Sequence, residues 1–258
     1  MLTFDSIHAY PSNMKWENRI KRITKSLINL KIQKRILIIG LNDTNESKCF
    51  KYNKATFVFL IKQKDFYLGK FINKILNFLY LYYVSYRRLS RIQYDYFNPH
   101  CLSMLPLAVF LKAFNKKIKI IYDTHELETE VSGMSKLRKL ISKIVEFFCI
   151  RYVDETVVVS PLIAKWYKDR YLLKNIHIVR NLPDLKELKI KNVKNIISKF
   201  KIDKNKLLFC YQGILSDERQ SLKLAKFFSR QPKIGQILFI GFGPDEIYIK
   251  QFAEKYEN

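Results

Sequence analysis

With 258 residues, 48% of them apolar, the chain is long enough for one large domain or two small ones with a sizeable core. Its 47 basic and 23 acidic residues leave a net charge of +24, which points to an anionic partner: a membrane surface, a nucleic acid or a phosphorylated substrate. Part of that charge follows from a composition rich in Lys, Ile and Asn, and the excess of Lys over Arg argues against dedicated phosphate forks. Cys49, Cys101, Cys149 and Cys210 are far apart with no C-x-x-C pair, which argues against a zinc or disulfide framework and fits a reducing cytoplasm. Residues 1–11 lack the basic-then-apolar pattern of a signal peptide, and no run of about 18 apolar residues exists to span a bilayer.

In chain order, residues 2–9 predict a first strand. A helix follows from Lys15, with Trp16, Ile20, Ile23, Leu27 and Leu30 as its apolar stripe and Arg19, Lys21, Arg22 and Lys25 on a solvated basic face. Residues 34–41 (KRILIIGL) are a buried strand, residues 42–54 a polar loop, and residues 55–61 another strand. Residues 71–89 form an aromatic-rich helix ending in Arg87, Arg88 and Arg91. It is read as a core helix whose cationic end suits the helix dipole, with a surface dipping into a lipid interface as the sharper alternative.

Residues 93–126 are the central unit. Residues 94–98 form a strand, Pro99 and His100 a turn, residues 102–114 an apolar helix, and residues 118–122 a strand buried on both faces. Each strand ends in a histidine, His100 and His125, where open α/β sheets bind their ligands. A helix over residues 134–152 follows. Its expected buried face holds Leu137, Leu140, Ile141, Ile144, Val145 and Phe148, opposite Lys136, Lys139 and Lys143. Residues 155–159 are a strand, and Ser160-Pro161 opens a helix as N-cap and first helical residue. Residues 176–179 close the series, a doubly wound α/β domain.

Residues 186–205 are expected to be a helical linker. Two strands follow, 207–211 and 236–240, each with a helix after it. Two strand–helix pairs make a poor sheet on their own, so the second domain reads as cut short. The expected division is 1–185 and 186–258. Gly241-x-Gly243 lacks the third glycine of a dinucleotide fingerprint, because Glu246 stands there, and a tight strand-to-helix turn is the preferred reading. No nucleophile elbow, P-loop lysine or H-E-x-x-H occurs, which removes the common hydrolase, NTPase and zinc-protease classes. No helix-turn-helix, RNA-binding sheet motif or zinc finger supports a nucleic-acid partner.

The order of features resembles the glycosyltransferases of the GT-B fold, in the retaining group (glycosyltransferase family 4-like) that builds bacterial capsule, lipopolysaccharide and glycolipid sugars. The resemblance is carried by Tyr94-Asp95 through His100 with residues 105–108, by Tyr122-Asp123-Thr124-His125-Glu126, and by Asp154 with residues 157–160. Further on it is carried by residues 179–183, by residues 211–215 with Arg219, and by residues 240–244. It implies an α/β fold of two Rossmann-like parallel-sheet domains, the second incomplete here. It also implies transfer of a sugar from a nucleotide-diphosphate donor to a cell-surface glycan or lipid-linked acceptor. His125 is then the catalytic residue beside the transferred sugar. His100, Glu126, Gly213, Arg219, Gly241 and Gly243 are substrate-binding candidates, with Arg219 on the donor diphosphate, where negative charge grows in the transition state. No metal and no cofactor beyond the donor is expected. The expected location is cytoplasmic, peripheral at the inner face of an anionic membrane.

The sequence departs from the family in two places. No Glu-rich donor-gripping segment follows Gly243, since Glu246, Glu254 and Glu257 stand too close to it, and the first strand is followed by residues 8–13 in place of a Gly-rich loop. The competing expectation is therefore a non-catalytic relative, or a half-enzyme needing a partner subunit.

Overall fold

A computed structural model describes residues 3–15, 17–44, 46–131, 133–182, 200 and 202–256, with residues 70 and 71 described in their backbone only. Trp16, most of the expected linker 186–205, Pro183 and Glu257 lie outside the described residues. The chain divides into two compact units, Met1–Leu182 and Pro183–Asn258.

The first unit is built on one eight-stranded sheet. Its strands are β1 (Ser6–Ala9), β2 (Ile36–Leu41), β3 (Lys48–Lys51), β4 (Thr56–Ile61), β5 (Tyr96–Pro99), β6 (Lys119–Thr124), β7 (Glu155–Val158) and β8 (Ile176–Ile178). They lie in the order β3-β4-β2-β1-β5-β6-β7-β8, all parallel except β3, which pairs antiparallel with β4 at one edge. Sequence reading placed β3 in a polar loop. It is a short, fully exposed edge strand, KCFK, with no apolar alternation to betray it.

Five helices cover the sheet: α1 (Asn18–Asn29), α2 (Lys70–Leu89), α3 (Leu105–Phe114), α4 (Lys136–Cys149) and α5 (Pro161–Tyr171). Strand alternation separates two cores. Ile36, Ile38, Val58 and Leu60 pack with Ile20 of α1 on one face. Ile7, Leu37, Ile39, Phe97 and Ile120 pack with Leu81, Leu105, Leu111 and Tyr167 of α2, α3 and α5 on the other. The chain turns one way from β1 to β2 and the other way from β5 onward, so right-handed crossovers put α1 opposite the remaining helices. The order reverses between β1 and β5, and that is the switch point of the sheet. As expected, Ser160 caps α5 by accepting from the Ile163 N–H at 3.3 Å, with Pro161 as first helical residue.

Two expectations about helix faces are corrected. Arg19 is not on a solvated face: it is only 5% exposed, and Leu30, assigned to the apolar stripe, is exposed. In α4, of the stripe expected to be buried only Val145 is turned inward, and the rest faces outward. Leu137 is 68% exposed and Phe148 56%, and Leu140, Ile141 and Ile144 are exposed with them. The inward side carries Val145, Cys149 and the fully buried Glu146. The Glu146 carboxylate accepts from Tyr167 and Tyr171 at 2.7 Å each and from Tyr122 at 3.3 Å. A buried carboxyl needs such partners, and only one orientation of the helix supplies them.

The second unit has a two-stranded parallel sheet of β9 (Leu208–Gln212) and β10 (Gln236–Ile240), with α6 (Ser221–Arg230) and α7 (Glu246–Lys255). Leu215, Ala225 and Ile249 form its small core, with Tyr211, Phe239 and Phe252 against it. Residues 202–205 of the expected helical linker are not helical. Asp203 is held there by two hydrogen bonds to the Gln236 side-chain amide, one 3.0 Å and one 2.5 Å long.

Candidate active site

The carboxyl ends of β1, β5 and β6 lie side by side at the switch point. Ile7 and Ala9 point into the larger core, so His8 between them points to the α1 face. His100 follows β5 directly and its N–H bonds the Ala9 carbonyl at 3.0 Å, which locks its backbone to the end of β1. Asp123 lies in β6, and His125 comes just after that strand.

These side chains form a buried chain of hydrogen bonds. Asp123 is paired twice with Arg19 of α1, Nη2 to Oδ1 at 2.6 Å and Nε to Oδ2 at 3.1 Å. The third Arg19 bond, Nη1 to the Val179 carbonyl at 2.9 Å, ties α1 to the segment that leaves β8. His100 Nδ1 lies 2.8 Å from Asp123 Oδ2, and His8 Nδ1 lies 2.8 Å from His100 Nε2. Burial opposes charge on Asp123, but the hydrogen bonds from His100 and Arg19 and the nearby His125 imidazole outweigh it and hold the carboxyl well below the usual carboxylate range. An ionised carboxylate only accepts, so His100 donates through Nδ1. Burial keeps His100 neutral despite Asp123, so its Nε2 accepts from His8 Nδ1–H. His8 is pushed down by burial and by His100, and is neutral as well. Its Nε2 is left a buried acceptor with no partner.

His125 sits at the open end of this chain, 22% exposed in its side chain, with Nε2 3.6 Å from Asp123 Oδ2. That is too long for a hydrogen bond, and Nε2 is the second unpartnered nitrogen of the cluster. Its ring stacks on Tyr10 with centroids 6.0 Å apart and stands 5.8 Å from the His100 ring. Burial pushes the carboxyl of nearby Glu128 up to about 7, against the favourable charge of His125. A carboxyl that titrates near neutrality beside an imidazole is equipped to hold or release a proton.

Of the sequence candidates, His100 and His125 are thus brought together. His100 does not merely close a turn, since it is buried at the centre of the network. Glu126 has an exposed side chain, and it is its backbone carbonyl that accepts from Thr124 Oγ1, at 2.6 Å. Gly213, Arg219, Gly241 and Gly243 lie in the second unit, around the ends of β9 and β10. Gly213 N–H bonds the Ile240 carbonyl and Leu215 N–H the Phe242 carbonyl, so the two loops run in contact. A Cβ on Gly241 would stand 1.8 Å from the Gly213 carbonyl oxygen, and one on Gly243 2.3 Å from that of Leu215. Loop-on-loop packing explains both glycines, in line with the tight-turn reading. Arg219 is exposed.

Sequence reasoning missed His8, Arg19 and Glu128 as site residues and named Asp123 only among the residues that carry the resemblance. Position 8 carried one signal, an ionisable residue at a strand end. His100, Asp123 and His125 also place three donor atoms within 4.8 Å of one another, a type of cluster the sequence did not foretell. Two of the three residues are engaged: Arg19 and His100 occupy the carboxylate, and Asp123 and His8 occupy the two nitrogens of His100, while His125 Nε2 has no partner.

No protein-family model matches the chain, and no curated protein does. Solved structures do match in fold. Sucrose-phosphate synthase from Thermosynechococcus elongatus matches 100% of this chain over 68% of its own length, at TM-score 0.73 and 11% identity. The lipopolysaccharide outer core galactosyltransferase WaaB in its apo form matches 99% over 65%, at TM-score 0.61 and 16% identity. An alpha,alpha-trehalose-phosphate synthase (UDP-forming) from Burkholderia vietnamiensis matches 100% over 68%, at TM-score 0.61 and 12% identity. The structural neighbours are GT-B glycosyltransferases, and the fold of this chain is of that type.

Proposed function

We propose that the chain acts as a glycosyltransferase, moving a sugar from a nucleotide-diphosphate donor to a cell-surface glycan or lipid-linked acceptor of the capsule or lipopolysaccharide kind, with retention of anomeric configuration. The observation that carries this reading is the histidine–aspartate chain at the switch point of a GT-B-type sheet, ending in the partly open His125. His125 hydrogen-bonds a hydroxyl of the transferred sugar. The Asp123 carboxylate 3.6 Å away stabilises positive charge on that imidazole. Glu128 holds a proton beside it. Arg219 meets the leaving diphosphate, and the loops packed through Gly213, Gly241 and Gly243 shape the ends of β9 and β10. We read the three-residue cluster as a hydrogen-bond relay and not as a metal centre, because the Asp123 and His100 atoms already pair with each other, with Arg19 and with His8, which leaves only His125 Nε2 free to bind.

Among the described residues no helix is long and apolar enough to cross a membrane. The outward stripe of α4 is flanked by the exposed Lys136 and by Arg151, whose guanidinium lies over Phe147 and Phe148, while Lys139 and Lys143 are paired with Glu130. An apolar stripe edged by cations suits an anionic lipid surface, and we assign the peripheral membrane contact to it.

The test is thermal unfolding with and without millimolar UDP, GDP and UDP-sugars, followed by transfer assays with and without a chelator. A ligand bound only by the folded state raises the midpoint. A rise with one nucleotide that Arg219→Ala abolishes, and transfer that His125→Ala abolishes while the chelator leaves it intact, are expected. A cooperative melt unmoved by every nucleotide would overturn the reading.

A further inference from the structure

Away from the histidines, a cavity of about 730 Å³ opens between the second half of α2 and the sheet. Its floor is apolar: Phe4 lies just before β1, Leu37 near the start of β2 and Phe59 within β4, all buried. Its wall is cationic, with Arg87, Arg88 and Arg91 from the end of α2 and its following turn, and Lys64 from beyond β4. Among the described residues no acidic side chain lines it, and none of the four cations pairs with a carboxylate. Aromatic faces hold three of them instead. Arg88 lies 4.0 Å from the Phe59 ring centroid, Lys64 4.2 Å from that of Tyr80 and Arg87 5.8 Å from that of Tyr83. A ring face steadies a cation without consuming all of its N–H donors. The four cations are solvent-exposed, so their donors are open to an incoming anion at the edge of an apolar floor, and the volume falls within the range of about 300–1,000 Å³ usual for small-molecule sites. Outside the mouth, Ile72, Ile75, Leu79 and Tyr83 make an exposed apolar stripe along α2, continuous with the cavity through Tyr83.

We infer that this cavity binds one molecule of an anionic amphiphile, with a phosphate-class head among Arg87, Arg88, Arg91 and Lys64 and an aliphatic tail on Phe4, Leu37 and Phe59. The Arg side chains match a phosphate's planar pairs of acceptors, and the floor offers nothing to a head without a tail. The site stands apart from the histidine chain, which lies at the strand ends, so it stands or falls independently of the sugar-transfer reading.

Isothermal titration of the full chain with dodecyl phosphate below its micellar concentration tests this. Controls are hexyl phosphate, inorganic phosphate, dodecyl maltoside and phosphatidylglycerol vesicles. One-to-one binding is expected, at least about tenfold tighter for dodecyl than for hexyl phosphate and undetectable for dodecyl maltoside. Joint replacement Arg87→Gln, Arg88→Gln and Arg91→Gln should weaken it at least about tenfold. A second variant, Val84→Trp, fills the cavity wall without touching the charge and should also weaken it, each variant being checked for a cooperative melt. Inorganic phosphate binding as tightly as the amphiphile would reduce the site to a plain anion patch. Binding to vesicles alone would replace it with surface adsorption. Binding untouched by both variants, or no binding, would also overturn it.

Discussion

Asp123→Asn turns the Arg19–Asp123 pair into a measurable quantity. Both side chains are buried, at 5% and 4% exposure, and Arg19 spends three hydrogen bonds, two on Asp123 and one on the Val179 carbonyl. Removing one charge of such a pair strands the other, at a cost of about 3–5 kcal/mol. Arg19→Met carries a comparable cost, because it strands the carboxylate beside His100 and orphans the Val179 carbonyl. If the two effects were independent, the double variant would lose about 6–10 kcal/mol. The double variant, however, keeps neither charge of the pair, and the amide oxygen introduced at position 123 still accepts from His100 Nδ1–H. What remains is the orphaned Val179 carbonyl and the unpaired amide N–H groups introduced at position 123, at about 1–3 kcal/mol each. The pair should therefore show a coupling of about 2 kcal/mol or more, with the double variant losing clearly less than the sum of the single ones. For a domain of this size each kcal/mol moves the midpoint by about 2–4 °C, so Asp123→Asn should melt about 6–20 °C early. Calorimetry of the four proteins at pH 7.5 measures this. Losses that simply add, to within about 0.5 kcal/mol, would refute the buried pair as the link between α1 and β6.

Three further outcomes are expected. His8 is held neutral by burial, so below its ordinary value of 6.5 the unfolded chain takes up a proton that the folded chain refuses. Its contribution to stability therefore falls as pH drops, and His8→Asn should gain on the native chain by at most about 1.4 kcal/mol per pH unit below 6.5, read from urea midpoints at pH 7.5 and 5.5. A pH-independent difference would place His8 outside the buried chain. Glu128 has the opposite sign: its folded value of about 7 exceeds the ordinary 4.5, so its contribution is complete at acid pH and is lost as pH rises through 7. Glu128→Gln should thus melt higher than the native chain at pH 8 and lose that advantage by pH 5, and equal melting at both pH values would count against a buried carboxyl. Leu140→Ser with Phe148→Ser should change stability by about 0.5 kcal/mol or less per site, whereas core positions would lose about 2–5 kcal/mol each. The same pair should lower retention on phosphatidylglycerol vesicles, and a large loss of stability would mean that this side of α4 is buried after all.

Much was legible in the sequence because it is encoded locally. The β-branched runs of β2, β4 and β6 and the Ser160-Pro161 start of α5 depend on residues a few positions apart. The alternation of strands and helices set the fold class, and histidines at the ends of two strands pointed to the switch point. Tertiary structure alone decided three other matters. It turned α4 over, because the cost of burying Glu146 is met only where Tyr122, Tyr167 and Tyr171 converge, and its hydrophobic stripe went outward as a result. It buried Arg19, which the local charge pattern put on a solvated face, because Asp123 stands 104 positions away in sequence and 2.6 Å away in space. It joined His8 to His100 across 92 positions through strand pairing that no local pattern reveals. Periodicity reports how a helix would sit on an apolar surface. A buried charge obeys its partners instead, and partners are set by the order of strands in the sheet.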